Sequence, residues 1–142
     1  MERFRIPYSP RPLQLQIHQH LKRFNVLAIH RRAGKTTLCL NQLIAEALHN
    51  DKENPRYAYI APLYRMSKQI AWDMLRKYTA VIPGMTYNES ELRADFPHGA
   101  RITLFGADNE HALRGLYFDG IVCDEYAQMN PRIWAETLRP AL

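Results

Sequence analysis

The stretch Ile29-His30-Arg31-Arg32-Ala33-Gly34-Lys35-Thr36-Thr37 constrains this chain more than any other. It follows a continuous apolar run, Val26-Leu27-Ala28-Ile29, and precedes a segment whose apolar positions Leu38, Leu43, Ile44, Ala47 and Leu48 follow helical spacing. The pattern predicts a strand over 25–29 buried on both faces, a tight turn, and a helix over 35–48. A turn of that kind leaves unpaired backbone N–H groups at a helix N-terminus, where the partial positive charge makes an anion hole. Gly34 lets the backbone approach a ligand, Lys35 can reach the β- and γ-phosphates of a nucleotide, and a Thr36 hydroxyl can ligate Mg²⁺. Arg31, Arg32, Ala33 and Thr37 complete the nucleotide-binding set. The usual phosphate-loop pattern carries its first glycine where Ile29 stands, so an accidental Gly-Lys-Thr triplet is the competing reading.

A second apolar run, Gly120-Ile121-Val122-Cys123, ends in Asp124-Glu125. Acids at the C-terminal end of a buried parallel strand face the crevice where open α/β sheets bind ligands. There Asp124 would hold Mg²⁺ and Glu125 would polarise a water for attack on a γ-phosphate; two acids opening a turn is the bland alternative. An arginine in the loop, Arg31 or Arg32, can stabilise transition-state charge on the γ-phosphate or contact DNA, while Arg101 and Arg114 fit surface pairing better. Gln14 can pair with the N6 and N7 edge of adenine, with Gln16 and Gln19 as competitors. His18 and His20, two residues apart on a helix, face different ways and do not easily share a metal ion.

The remaining pattern is α/β. An extended arm over 1–12, with Pro7, Pro10 and Pro12, leads into a short helix over 13–23. A strand over 57–61 stops at Pro62, and Met66, Ile70, Met74, Leu75 and Tyr78 mark one helix face ending before Pro83. Runs over 92–96 and 100–105 flank Pro97-His98-Gly99 as a hairpin. A short helix at 109–113, the strand at 120–123 and a helix over 133–138 opened by Pro131 complete the order. This predicts a mainly parallel sheet with flanking helices, right-handed crossovers and an inserted β-hairpin, in a single domain over 1–142. A chain of 142 residues, 46% hydrophobic, buries about 68–70% of its unfolded surface, enough for a core without metals or disulfides. No apolar run approaches the roughly 18–20 residues that span a bilayer, and the first residues lack a secretory apolar core. Cys39 and Cys123 sit in apolar runs as free thiols of a reducing compartment. The net charge of +5 is concentrated before residue 36, with eight Lys/Arg against one acid, and that basic end suits a polyanion.

The segments PRPLQ, RFNVLAIHRRAGKTT, YIAPLYRMSKQIAWDML and ALRGLYFDGIVCDEYAQM together resemble the large terminase subunits of tailed bacteriophages, motor ATPases that push DNA into a capsid. The resemblance covers nearly the whole chain, and a loop without its first glycine is normal for that family. It implies a P-loop NTPase of RecA-like, additional-strand, catalytic-glutamate type that uses ATP and Mg²⁺. Lys35 and Thr36 match the family's phosphate-loop lysine and metal ligand, and Arg31 its loop arginine. Asp124 and Glu125 match the second acidic motif, and Gln14 the adenine-reading glutamine. The implied partners are double-stranded DNA, the portal, the small terminase subunit and further copies in a ring on the capsid, within the bacterial host cytoplasm. The family's coupling motif and nuclease domain follow the acidic motif, and Leu142 comes before either. The resemblance therefore implies slow ATP turnover, no nuclease activity from these residues, and a sheet edge prone to self-association. A helicase-like translocase and a non-catalytic nucleotide- or DNA-binding module are the rival readings.

Overall fold

The computed structural model describes residues 3–29 and 34–142. Its centre is β1 (Arg56–Ala61), in which every residue after Arg56 is buried. Such burial requires cover on both faces, and the alternation of side chains along the strand divides the core in two. Tyr57, Tyr59 and Ala61 pack with Leu40, Leu43 and Ile44 of α2 (Lys35–His49). Ala58 and Ile60 face the other way, onto Leu113, Phe118, Ile133 and Leu138.

β1 lies between β4 (Arg101–Gly106) and β5 (Gly120–Cys123) and is parallel to both. Two short strands, β2 (Thr86–Asn88) and β3 (Arg93–Asp95), extend the sheet antiparallel from β4, in the order β2-β3-β4-β1-β5. The α/β class, the mainly parallel sheet with flanking helices and the inserted hairpin thus stand as the apolar pattern indicated. The hairpin turns at Gly99, whose φ of +103° suits only glycine without strain. β2 was not legible in advance, because three residues carry too little alternation to register.

Four local expectations need correction. Residues 25–29 form no strand, and Val26 is 95% exposed. An extended apolar run becomes a strand only when a neighbour pairs its N–H and C=O groups, and among the described residues β5 pairs only with β1. The run instead leaves a closed turn in which the Asn25 side chain bonds both N and O of Lys22. Secondly, β5 is half-buried rather than buried, as befits the last strand of the sheet.

Thirdly, the helix after β1 is broken into α3 (Tyr64–Met66), a π-helical turn (Ser67–Ala71) and α4 (Trp72–Thr79). The wider turn rotates the register, so Ala71 and Trp72 enter the core while Ile70 is 52% exposed. Fourthly, the first helix, α1 (Pro12–His20), starts at its proline and stops short of residue 23. Only Gln14 of α1 is buried, so hydrogen bonds rather than an apolar face hold this helix: His18 bonds Tyr8 Oη at 2.8 Å and Gln42 Oε1 at 2.7 Å. The irregular segment before it is packed down, with Phe4 and Ile6 against the main core. Near the C-terminus a wide turn (Trp134–Leu138) runs into α5 (Arg139–Ala141).

Cys39 and Cys123 are free, and burial pushes both thiols up to about 12, with the charge of Asp124 adding to the effect at Cys39. Among the described residues no helix is long and apolar enough to cross a membrane.

Candidate functional site

The parallel strands β1 and β5 deliver their C-terminal ends to one side of the sheet, and the N-terminus of α2 faces that side. At the head of α2, Gly34 is left-handed, with φ +77° and ψ +35°. Its carbonyl accepts the first helical bond, from Leu38 N at 2.9 Å, and no side chain caps the helix. The backbone N–H groups of that first turn have no intrahelical acceptor, and the turn itself contains no acidic residue. Lys35 bends back so that its Nζ donates to Ile29 O at 3.0 Å.

The two sequence motifs meet here. Thr36 Oγ1 donates to Asp124 Oδ2 at 2.6 Å, joining residues 88 positions apart. Asp124 reaches this point because its N–H bonds Ile60 O at 2.9 Å, prolonging the β1–β5 pairing one step beyond Cys123. By alternation it shares a face with Val122, whose register partner is Tyr59. Tyr59 Oη consequently lies diagonal to Asp124 and donates to the same Oδ2 at 2.6 Å. Burial, and next the charge of Asp124, push the Tyr59 phenol far above its usual range, so it stays a neutral donor.

The chain then swings away. Glu125 is left-handed, with φ +53° and ψ +44°, a conformation costing a non-glycine residue roughly 1–2 kcal/mol. Its N–H bonds Asp124 Oδ1 at 3.0 Å, and its exposed side chain borders a cleft of about 110 Å³. Thr36, Tyr59 and Asp124 form the polar side of that cleft; Pro62, Met66 and Ile70 form an apolar wall. Backbone outliers of this kind concentrate at functional sites.

A hydroxyl and a carboxylate oxygen in contact form a hard oxygen donor pair, which suits Mg²⁺ and not a thiophilic metal. Among the described residues there is no cluster of three or more His, Cys, Asp or Glu able to hold a metal. His18 is engaged with Tyr8 and Gln42, and His20 with Gln16 O.

Gln14 is drawn into the same neighbourhood from twenty residues upstream. Its Oε1 accepts from Arg11 N at 2.8 Å, and its Nε2 donates to Gly34 O at 3.1 Å. Gln16 and Gln19 are exposed on α1 and take no part. The Thr37 hydroxyl contacts Met74 Sδ at 3.9 Å, on the α4 side rather than beside Asp124. Arg101 is paired with Asp95 at 2.6 Å and Arg114 with Glu110 at 3.9 Å. Arg31, Arg32 and Ala33 lie outside the described residues. Sequence reasoning missed Tyr59; the period-two alternation within 57–61, followed across to the strand that ends in Asp124, was the signal that pointed to it.

The ATPase domain of the large terminase of Thermus phage P74-26 superposes with a TM-score of 0.80. Identity is 22%, over 96% of this chain and 61% of that one. This chain has the fold of a phage large terminase ATPase domain. A mutant of the same domain gives 0.79 at 21% identity, covering 96% of this chain and 62% of its own. The chain thus spans about 61% of the length of the solved structure it matches. No protein-family model matches it, and no curated protein does.

Proposed function

We propose that this chain is the nucleotide-binding core of a DNA-packaging motor of the phage large-terminase kind, an ATPase that takes Mg-ATP at the head of α2. The observation carrying this reading is the 2.6 Å Thr36–Asp124 hydrogen bond, which unites a Gly-Lys-Thr turn with an acid at the end of a parallel strand. The free N–H groups of the α2 N-terminus and Lys35 bind the phosphates. Thr36 and Asp124 would hold Mg²⁺, which supplies charge neutralisation at the phosphates when bound. Glu125, at the cleft mouth, accepts the proton of the water that attacks the γ-phosphate, giving ADP and phosphate. Arg31 or Arg32 stabilises the charge that develops there, and Gln14 reads the adenine edge.

In the intact motor, hydrolysis would drive double-stranded DNA through a ring of such subunits. That ring would work at the portal, with the small terminase subunit as a partner, in the host cytoplasm. Asp124 and Glu125 stand at the end of a strand that, among the described residues, pairs with β1 alone, so turnover is expected to be slow.

The decisive test is calorimetry of Mg-ATP binding to the wild type and to Lys35→Ala. Loss of a charged phosphate contact should weaken binding at least about tenfold, roughly 1.4 kcal/mol. Equal affinities would overturn the assignment of the loop.

A further inference from the structure

Tyr59 stands in the site without belonging to either sequence motif. Its neighbour on the same face, Tyr57, has a local duty: its hydroxyl accepts from Asn50 Nδ2 at 2.9 Å and donates to Glu46 O at 3.3 Å, tying down the C-terminus of α2. Tyr59, 3% exposed, serves nothing of that sort and directs its hydroxyl at Asp124 Oδ2, the oxygen that also accepts from Thr36. Asp124 needs such support. It follows a half-buried edge strand, it precedes the left-handed Glu125, and a carboxylate's terminal torsion is intrinsically broad.

We infer that Tyr59 is a positioning residue for the divalent cation, its buried phenol holding the Asp124 carboxylate turned toward Thr36 so that the two oxygen ligands are arranged before Mg²⁺ arrives. The inference rests on the reading above that Thr36 and Asp124 hold the metal. Thr36 can turn its lone pairs toward a cation, whereas Tyr59, its ring buried and its phenol neutral, has only its O–H to offer and would go on donating to the carboxylate. Hydrogen-bonded partners of a metal-ligating carboxylate typically contribute 10–100-fold to metal affinity.

The test is a Mg²⁺ titration at fixed ATP concentration, read by calorimetry, on the wild type, Tyr59→Phe and Tyr57→Phe. The Mg²⁺ concentration for half-maximal nucleotide binding should rise about tenfold in Tyr59→Phe and stay unchanged in Tyr57→Phe. ATP binding measured in excess EDTA should be the same in all three proteins. A purely structural Tyr59 would lower the melting temperature and leave the Mg²⁺ midpoint alone, and that result overturns the inference. A second readout needs no variant: with ring-labelled tyrosine in the wild type, the Tyr59 Cζ resonance should move when Mg²⁺ is added to the ATP complex, and that of Tyr57 should not. A stationary Tyr59 signal overturns the inference as well. A wild type that shows no Mg²⁺-dependent ATP binding defeats the nucleotide-site reading itself, which separates the two failures.

Discussion

Gly34→Ala should destabilise the fold through two separate effects, one in the backbone and one in the packing against Gln14. At φ +77° and ψ +35°, an alanine pays roughly 1–2 kcal/mol for the left-handed backbone alone. The new Cβ would also collide with Gln14 Nε2 and lie 2.5 Å from an Arg11 guanidinium nitrogen. Gln14 is only 4% exposed, so moving its amide aside forfeits the bond to Gly34 O without offering water as a substitute. A buried amide left without its partner costs about 1–3 kcal/mol. The two contributions sum to about 2–5 kcal/mol, a large part of the 5–15 kcal/mol that holds an ordinary domain together. Urea denaturation followed by far-UV circular dichroism would measure it. The amide part is separable: in a Gln14→Ala background the collision with the amide disappears, and Gly34→Ala should then cost only the backbone contribution plus the small displacement of the flexible Arg11 side-chain end. An identical cost in both backgrounds, or a cost well under 1 kcal/mol in the wild type, would refute the claim that Gln14 and the loop glycine are packed against one another.

Three further outcomes are expected. Steady-state phosphate release should be far below the 1–10³ s⁻¹ typical of enzymes and should vanish in Glu125→Gln, whose amide cannot take up the proton; turnover indifferent to Glu125 would remove it from the chemistry. If Gln14 reads adenine, ATP should outcompete GTP and Gln14→Ala should erase the preference, whereas equal competition in the wild type would leave Gln14 as a clasp on Gly34 only. Acid should weaken the fold at Asp119. Burial alone would raise its pKa, but hydrogen bonds from Lys52, Arg56 N and Tyr117 outweigh that and hold it below the usual value. Its contribution is therefore fully present above the unfolded carboxylate pKa and is lost as pH falls through the depressed folded value. Urea melts should show a stability gap between wild type and Asp119→Asn at pH 7 that closes toward pH 3, and a gap constant with pH would contradict the assignment.

Much of this protein is written locally in its sequence. The Gly34-Lys35-Thr36 turn, the helix after it and the apolar strand into Asp124-Glu125 rest on backbone permissiveness, helical periodicity and short apolar runs, properties that neighbouring residues settle among themselves. A glutamine of α1 was a candidate from the sequence, but its burial was not legible there, and only the fold distinguishes Gln14, turned onto Gly34 O, from the exposed Gln16 and Gln19. What the sequence could not decide was pairing. Residues 25–29 and β5 look alike as apolar runs, yet only β5 has β1 alongside it, because a strand is a contract between two segments and composition describes just one. The π-helical turn at Ser67–Ala71 is equally non-local: fully buried Ser67 donates to Phe105 O at 2.8 Å on β4, and the register of the helix follows from that anchor. Tyr59 is the sharpest case. On its own strand it is one more buried aromatic, and it becomes part of the site only because the β1–β5 register sets it diagonal to Asp124, a relation that exists in the folded sheet and nowhere along the chain.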